Sequence, residues 1–474
     1  MWVFDYKCDD DGYLLKHKAR IVVRGDLQPP STKDTYARTL ATRSTRALMS
    51  FIAAFDLEAR HLDGVNAFLN SQLEEDEQIH CHMPDGYKIP GKAWLLLRAL
   101  YGMTRSPYLW FRELSTTLKD LGFHPILEER CILTNERITI FFYVDDLIIM
   151  FDKQYEKEYE ALRDRLQKKY EFRDLGDLSW FLNLRITRDR PKRRLFMTMD
   201  AYIDKITHDF DLENAPRVST PLSLDASKFV PFDGRATPEQ IHSYQSRIGH
   251  LIYPATALRP DIAYAASLLA RFMQNPSPIH SDQVNRVIVY LRDHKNLSIV
   301  FDGLATNPNA SMRVVEAASD AAYGDDPSTR RSSEGYVVKI FGGPVDWRAS
   351  LQNTVTTSTT EAELLALTHL GKEVIWWQRF FKQMAFDPGH DITIQSDNTQ
   401  TVGILNKSMP LLTTKLRHID IHQHWLRERV QAGDLGIEWV PTSDIVADGL
   451  TKPLNTVRHK HFVGLLGLTD YIKP

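Results

Sequence analysis

The sequence predicts an α+β fold with more than one domain, and three observations predict it. The run Ile138-Thr-Ile-Phe-Phe-Tyr-Val-Asp-Asp-Leu-Ile-Ile-Met-Phe151 is two short β-rich stretches around a two-residue break, the pattern of a tight hairpin. Apolar residues recur at helical spacing near residues 43–59, 107–121 and 241–294. From about residue 312 the pattern becomes strand, strand, strand, helix, strand, helix, ending near Leu454. A length of 474 residues fits about two to four domains.

Each element has its own reason. Residues 13–24 mix β-branched and basic side chains, which suits a strand pair with cations on one face. In 43–59, Leu48, Ile52, Phe55 and Leu57 fall near one helical stripe. His61-Leu-Asp-Gly-Val-Asn-Ala-Phe-Leu69 reads as a strand ending in an acidic residue and a turn. Pro107 suits a first helical turn, followed by the stripe Leu109, Trp110, Leu114, Leu118 and Leu121. Residues 153–173 are helical in pattern and carry both signs of charge, a solvated face. Pro216, Pro221, Pro231 and Pro238 mark 214–240 as a loop or linker. Helical patterns return with Ile248, Leu251 and Ile252, then Ala265, Leu268 and Leu269, then Val287 to Leu291. A break at 302–310 precedes the last segment, and there is no internal repeat.

Composition narrows the classes. Hydrophobic residues at 43% and charged residues at 25% supply more than one ordinary core. Cys8, Cys81 and Cys131 are far apart and odd in number, which points to a reducing compartment and no disulfide framework. The start lacks a charged segment followed by an apolar one, so no secretion signal is expected. The longest apolar run is broken by Asp145 and Asp146 and is too short to span a bilayer. Net charge is −3, so any nucleic-acid site must be a local basic face.

Two acidic side chains beside buried strands are costly unless a cation relieves them, and hard carboxylate oxygens suit Mg²⁺. The plainer alternative is a solvated hairpin turn. Asp63 and the pair Asp145–Asp146, on a strand and a neighbouring hairpin, can converge on two metal ions for phosphoryl transfer. Lys18, Arg20 and Arg24 are candidate contacts for a triphosphate, or else an exposed basic strand face.

His61-Leu-Asp-Gly-Val-Asn-Ala-Phe-Leu-Asn70, Leu100-Tyr-Gly-Met-Thr-Arg-Ser-Pro-Tyr-Leu-Trp110 and Phe142-Tyr-Val-Asp-Asp146 resemble the successive palm motifs of a reverse transcriptase. Together with Lys18-Ala-Arg-Ile-Val-Val-Arg-Gly25, Leu175-Gly-Asp-Leu-Ser-Trp-Phe-Leu182 and Leu258-Arg-Pro-Asp-Ile-Ala-Tyr264, the wording is similar to copia-type LTR retrotransposon polyproteins, from about Trp2 to Leu454. The resemblance implies a right-hand polymerase palm with fingers and a helical thumb-connection. It implies metal binding by Asp63, Asp145 and Asp146, with Tyr143 in the same motif at the substrate. Phe68 matches the residue under the sugar of the incoming nucleotide, where a ring would clash with a 2′-hydroxyl; its alternative is a core aromatic. Gly102, Ser106 and Pro107 match the segment supporting template and nucleotide. The chain departs from the family at Gly64 (usually β-branched), Thr104 (commonly basic) and Asn183 (usually Gly). It opens at Trp2-Val-Phe of the family pattern, so the fingers are expected to be truncated.

The C-terminal third carries Asp320 after a β-like run from Met312 to Val315, Glu363 at the start of a helix with Leu364, Leu367 and Leu370 inward, Asp397 after a run from Ile392 to Ile394, and Asp448 at the start of a short helix. Any one of these could be a helix cap or surface acid. Two strands and two helices can bring all four to two Mg²⁺ for phosphodiester hydrolysis. The order Asp, Glu, Asp, Asp resembles RNase H rather than the Asp, Asp, Glu of integrases. Glu361 competes with Glu363, which is preferred because it precedes Leu-Leu-Ala-Leu367. In Lys415-Leu-Arg-His-Ile-Asp-Ile-His-Gln-His424, Arg417 and His418 match a substrate-contact segment, while a solvated helix and a metal site stay open. Trp376 and Trp377 read as packing residues.

The expected domains are 1–215 (fingers and palm), 216–310 (thumb and connection), 311–456 (an RNase H-like mixed α/β domain) and a tail at 457–474. The resemblance implies an RNA-directed DNA polymerase with RNA–DNA hybrid ribonuclease activity. The implied cofactor is Mg²⁺ or Mn²⁺, two ions per active site. The implied partners are RNA template, DNA primer, hybrid, deoxynucleoside triphosphates and other polyprotein products, with no membrane. It also implies residence in the cytoplasm, in virus-like particles, with nuclear access of the product. Neither a protease Asp-Ser/Thr-Gly motif nor an integrase zinc motif is present, which fits a piece of a larger polyprotein. An inactive remnant that binds nucleic acid, or a chain with only the nuclease half active, remains the alternative.

Overall fold

The computed structural model describes residues 1–8, 13–223, 229–306, 313–406 and 417–471. The chain divides into two compact units, Met1–Ala41 with Glu58–Leu178, and Thr42–Leu57 with Ser179–Pro474. No helix among the described residues is long and apolar enough to cross a membrane.

In the first unit, β1 (Trp2–Cys8) and β2 (Leu14–Ile21) pair antiparallel; the basic segment expected as a strand pair over 13–24 supplies one strand, and its partner is the segment before it. The next element, α1 (Thr42–Ala54), belongs to the second unit. Then come β3 (Glu58–Gly64), the small pair β4 (Ile79–Cys81) and β5 (Trp94–Leu96), and α2 (Ser106–Asp120). They are followed by β6 (His124–Pro125), β7 (Ile132–Thr134), β8 (Ile138–Tyr143), β9 (Asp146–Phe151), α3 (Glu156–Lys169) and β10 (Phe172–Asp177). The sheet order is β10-β3-β9-β8-β7-β6. Its centre is a β-α-β-β-α-β unit, β3-α2-β8-β9-α3-β10, with the first strand placed between the last and the third. This is the expected palm. Its core is Ile140, Phe141, Leu147, Ile148 and Ile149 from the hairpin, with Leu109, Trp110, Leu114 and Leu118 from α2 and Leu162 and Leu166 from α3. The α2 stripe is the one the sequence predicts as far as Leu118; Leu121 falls just past the helix and is half-buried. The helix expected over 153–173 is shorter, because Phe172 turns into β10 to pair with Gly64.

The second unit begins with β11 (Trp180–Phe181), β12 (Leu184–Asp189), β13 (Arg194–Thr198), α4 (Asp200–Asp209), α5 (Pro238–Ala257), α6 (Ala263–Ala270), α7 (Pro278–Asp293) and β14 (Leu297–Asp302). It continues with β15 (Val315–Ala322), β16 (Ser333–Ile340), β17 (Gly343–Leu351), α8 (Thr359–Gln383), β18 (Thr393–Ser396), α9 (Thr399–Leu405), α10 (Arg417–Gln431) and β19 (Gly436–Trp439). Residues 457–474, expected as a tail, hold most of α11 (Thr456–Leu465) and β20 (Leu468–Asp470). One sheet runs β11-β12-β13-β14-β20, and no local pattern predicts it. The other runs β17-β16-β15-β18-β19, with β15–β18 and β18–β19 parallel. Three antiparallel strands, a long helix and two parallel strands make the expected RNase H-like mixed domain.

The Leu182–Asn183 turn between β11 and β12 explains one departure from the family. Both residues are left-handed, at φ 51° and 61°. Asn tolerates that region better than other side chains, so it can stand where Gly is usual.

Helix α1 is buried along its length from Ser44 to Ala54. The reason is side-chain chemistry at both ends. Arg46 is 3% exposed and donates to the carbonyls of Val345, Thr256 and Ala257 at 2.7–2.9 Å, with its guanidinium 3.8 Å from the Trp347 ring centroid. Just past the C-terminal end, the Leu57 amide donates to the Ile52 carbonyl, and Arg188 donates to both the Ile52 and Leu57 carbonyls, tying the helix end to the strand that follows. Phe51 packs against Phe386 at 4.7 Å between ring centroids. Arg46→Ala is expected to cost about 3 kcal/mol or more, because buried carbonyls lose their donors. Denaturant unfolding of the full chain measures it.

Candidate functional site

Tyr143 pairs with Asp146, so the residues of the hairpin turn are Val144 and Asp145. The sequence pattern places the break on the two aspartates; in the structure it lies one residue earlier, and Asp146 already opens β9. Val144 adopts φ 58°, a left-handed conformation that costs a β-branched residue roughly 1–3 kcal/mol. Two bonds hold the turn. The Trp110 indole donates to the Val144 carbonyl at 2.6 Å, and the Gly64 amide donates to the Asp145 carbonyl at 2.8 Å. A Cβ on Gly64 would meet that carbonyl and the Phe172 ring at 3.3 Å, so glycine suits this tight approach.

Asp63 on β3 lies directly opposite Asp146 on β9. Like charges directly opposite on one face repel. Asp146 is turned to His61, whose Nε2 is 2.8 Å from its Oδ1. His61 stands two residues before Asp63, on the same face of the strand. Burial raises the Asp145 pKa, and the charges of Asp146 and Asp63 raise it further, while Arg20 pulls it down. Arg20 thus reaches Asp145 electrostatically. Its guanidinium lies 5.7 Å from the Tyr101 ring centroid. Lys18, exposed, sits two residues away on the same strand, opposite Asp5. Arg24 is engaged elsewhere, in an exposed ion pair with Asp26.

Phe68 is 8% exposed, its ring 4.7 Å from that of Tyr101. Tyr101 itself feels the cluster: burial, then the charges of Asp145 and Asp63, raise its pKa. Gly102 has φ 89°, and a Cβ there would meet the Val23 carbonyl at 2.0 Å. Its place is a close crossing of two backbone segments. Ser106 is buried at the head of α2 and donates to the Leu100 carbonyl at 2.6 Å. Thr104 bonds Gln28 through its amide and hydroxyl.

In the second unit, Asp320, Glu363 and Asp397 offer carboxylate oxygens within 4.8 Å of one another, the one such group of metal-type ligands among the described residues. Asp63, Asp145 and Asp146 do not close to that span. Asp320 lies inside β15 rather than after it, opposite Gly335. Asp397 follows β18, which runs parallel to β15, so both carboxylates emerge at neighbouring strands. Glu363 projects from the first turns of α8 and is 5% exposed. Its Oε2 is buried without a hydrogen-bond partner. Burial, then the charges of Asp320 and Asp397, push its pKa well up. Glu361 serves the helix start instead. Its carboxylate accepts from the Thr357 amide and hydroxyl at 2.7 Å, beside the Ser358 cap. Asp448 lies outside the trio, in a 3-10 helix at Val446–Leu450, ion-paired with Lys452. Thr451 donates to Asp320 Oδ2. Trp377 is fully buried, and Trp376 carries the Arg43 guanidinium 3.7 Å from its ring centroid. Arg417 opens α10, and its side chain, like that of His418 and the whole of Lys415, lies outside the described residues.

The pKa of Asp320 is pushed up to about 6, chiefly by burial. The folded state therefore holds a proton that the unfolded chain releases near pH 4. Stability from this group is present at low pH and lost as pH rises through that window, by on the order of 2–3 kcal/mol. The metal-free chain is expected to melt lower at pH 7 than at pH 5, with part of the loss restored by divalent cation. Thermal melts with and without chelator measure this.

The residues that sequence reasoning passed over are His61, Tyr101, Thr451 and Lys452. His61 and Tyr101 lie inside motifs already quoted, and Thr451 and Lys452 follow Asp448 within four residues. The period of two from Asp63 could have singled out His61; nothing in the pattern singles out the others.

Residues 1–224 match the family described as reverse transcriptase (RNA-dependent DNA polymerase). The chain is 32% identical over 467 residues to the retrovirus-related Pol polyprotein from transposon TNT 1-94 of Nicotiana tabacum, covering 95% of this chain and 34% of the relative. It is 27% identical over 476 residues to that from transposon RE2 of Arabidopsis thaliana, covering 98% and 32%. The chain thus spans about a third of the length of these curated relatives. Among solved structures, a foamy viral protease-reverse transcriptase in complex with RNA/DNA hybrid is similar at TM-score 0.44 and 14% identity, over 81% of this chain and 44% of that one. That likeness is too distant to carry residue roles.

Proposed function

Because the chain carries the reverse transcriptase region of a copia-type retrotransposon polyprotein, we propose that it copies retrotransposon RNA into DNA and cuts the RNA strand of the resulting hybrid. The observation that carries this reading is a pair of acidic centres, each placed by its own sheet. One sets Asp63 opposite Asp146 beside the Asp145 turn, and the other gathers Asp320, Glu363 and Asp397. The nuclease is assigned to residues 311–456.

The acidic residues fit divalent cations: Glu363 Oε2 is a buried oxygen with no partner, on a carboxylate that sits in a cluster of like charge. The cofactor of this reading is Mg²⁺ or Mn²⁺, two ions per site, held by Asp63, Asp145 and Asp146 in the palm and by Asp320, Glu363 and Asp397 with Asp448 in the nuclease. When bound, such ions activate the attacking oxygen and stabilise the leaving one. The side chains do the rest. Arg20, with Lys18, attracts the triphosphate of the incoming nucleotide. The rigid turn, held by Trp110 and Gly64, fixes Asp145 without rearrangement. Phe68, backed by Tyr101, walls the sugar. RNA template, DNA primer, hybrid and deoxynucleoside triphosphates are the partners of this reading.

A second reading, in which only the nuclease acts, is favoured by the tighter clustering of its trio. One assay separates the two. Purified chain is given a DNA primer on an RNA template with Mg²⁺ or Mn²⁺. Primer extension with RNA loss supports the full reading; RNA loss without extension supports the second; neither sinks both.

Phe68→Ala is expected to lower discrimination against ribonucleotides on the order of tenfold or more, since the ring that meets the 2′-hydroxyl is gone. Single-nucleotide incorporation rates for paired ribo- and deoxyribonucleotides check it. Unchanged discrimination would return Phe68 to a packing role.

A further inference from the structure

The segment Asp448–Lys452 enters the nuclease cluster with three groups of different character. Asp448 supplies a carboxylate, Thr451 a hydroxyl and Lys452 an ammonium. Thr451 occupies Oδ2 of Asp320. Lys452, just past the 3-10 helix, pairs back with Asp448 four residues before it. Its charge also acts on Asp320 and Glu363. A cation is thus already present beside the fourth carboxylate. Asp448 is mostly buried, at 15% side-chain exposure, while Lys452 is 39% exposed on a flexible four-carbon stem. The ammonium can leave; the carboxylate cannot follow it far.

Charge arithmetic gives this pair a consequence. Three carboxylates close to the span of a single ion without Asp448. A further divalent ion held by Asp448 would have to sit against the Lys452 ammonium. At a few ångströms that repulsion weakens binding of the ion by roughly tenfold or more. A phosphate of the nucleic-acid substrate is a natural competitor for the same ammonium.

We propose that Lys452 is a positioning residue that reserves Asp448: the nuclease cluster holds one divalent ion tightly through Asp320, Glu363 and Asp397, and admits a second only when the Lys452 ammonium leaves Asp448 for a substrate phosphate. This rests on the nuclease reading given above and goes beyond it by assigning the order of loading to this chain's own lysine.

The test uses the full chain carrying Asp63→Asn and Asp145→Asn, so that the palm does not contribute. Mn²⁺ is titrated calorimetrically without nucleic acid, and melting is followed in chelator and in Mn²⁺. The parent is expected to bind one ion. Lys452→Met is expected to bind two, or to bind the second roughly tenfold or more tightly than the parent does. It should also melt lower than the parent in chelator, where four carboxylates lose their counter-ion, and recover in Mn²⁺. Lys452→Arg keeps the charge and should still bind one. If Lys452→Met does not fold, Lys452→Gln takes its place in the same titration. The same stoichiometry and affinities within about twofold in the neutral variants, or two ions in Lys452→Arg, would overturn the proposal. A parent that binds no Mn²⁺ fails at the nuclease reading itself, and the assignment of Lys452 falls with it.

Discussion

Glu363→Gln is expected to reduce cleavage of RNA in an RNA–DNA hybrid by on the order of a thousandfold or more, while Glu361→Gln leaves most of it. A single residue separates the two on the same helix, yet the structure gives them opposite surroundings. Glu363 Oε2 has no partner, and the carboxylate has an oxygen within 4.8 Å of those of Asp320 and Asp397. Glu361 is saturated by the Thr357 amide and hydroxyl. An amide at 363 keeps the shape but removes the charge that a cation needs. A loss of about 4 kcal/mol in transition-state stabilisation corresponds to that thousandfold. The amide at 361 can still accept one bond from Thr357, so its cost is to the helix start, of about 1 kcal/mol. Cleavage rates on a labelled hybrid, with melting temperatures beside them, decide the matter. Cleavage lost in Glu361→Gln and kept in Glu363→Gln would reverse the assignment.

Asp145→Asn is expected to abolish primer extension, again by about a thousandfold or more, with the fold retained and the metal-free chain no less stable. Burial and the neighbouring Asp146 and Asp63 already disfavour the charge on Asp145. Neutralising it removes repulsion in the resting protein and removes a ligand in the working one. Such a trade of stability for activity is typical of functional sites. Hybrid cleavage should be untouched, because Asp145 belongs to the other compact unit. Extension that survives in both Asp145→Asn and Asp63→Asn would remove the palm carboxylates from the chemistry.

Alternation, helical spacing and turn chemistry were enough to place the β8–β9 hairpin, the α2 stripe and the run of strands and helix from β15 to β18. These are local patterns, and local patterns are written in consecutive residues. The motifs also brought the acidic residues into view, because a carboxylate amid apolar strands is conspicuous wherever it lies. What the sequence could not settle depends on residues far apart meeting in space. Helix α1 looks like any amphipathic helix in the chain. Only tertiary contact puts Arg46 beneath Trp347 and Val345, about three hundred residues on, and so assigns α1 to the second unit. Strand β20 is three residues long and finds its identity only against β14. The turn register moved by one residue because Trp110 and Gly64 hold Val144 and Asp145 in a strained shape that no β propensity would select. Glu361 and Glu363 carry the same side chain, and only Thr357 on one side and Asp320 with Asp397 on the other separate a capping acid from a ligand. Lys452 shows the same limit: its meaning comes from the carboxylates that fold around it, and the sequence by itself presents it as one more lysine beside a proline.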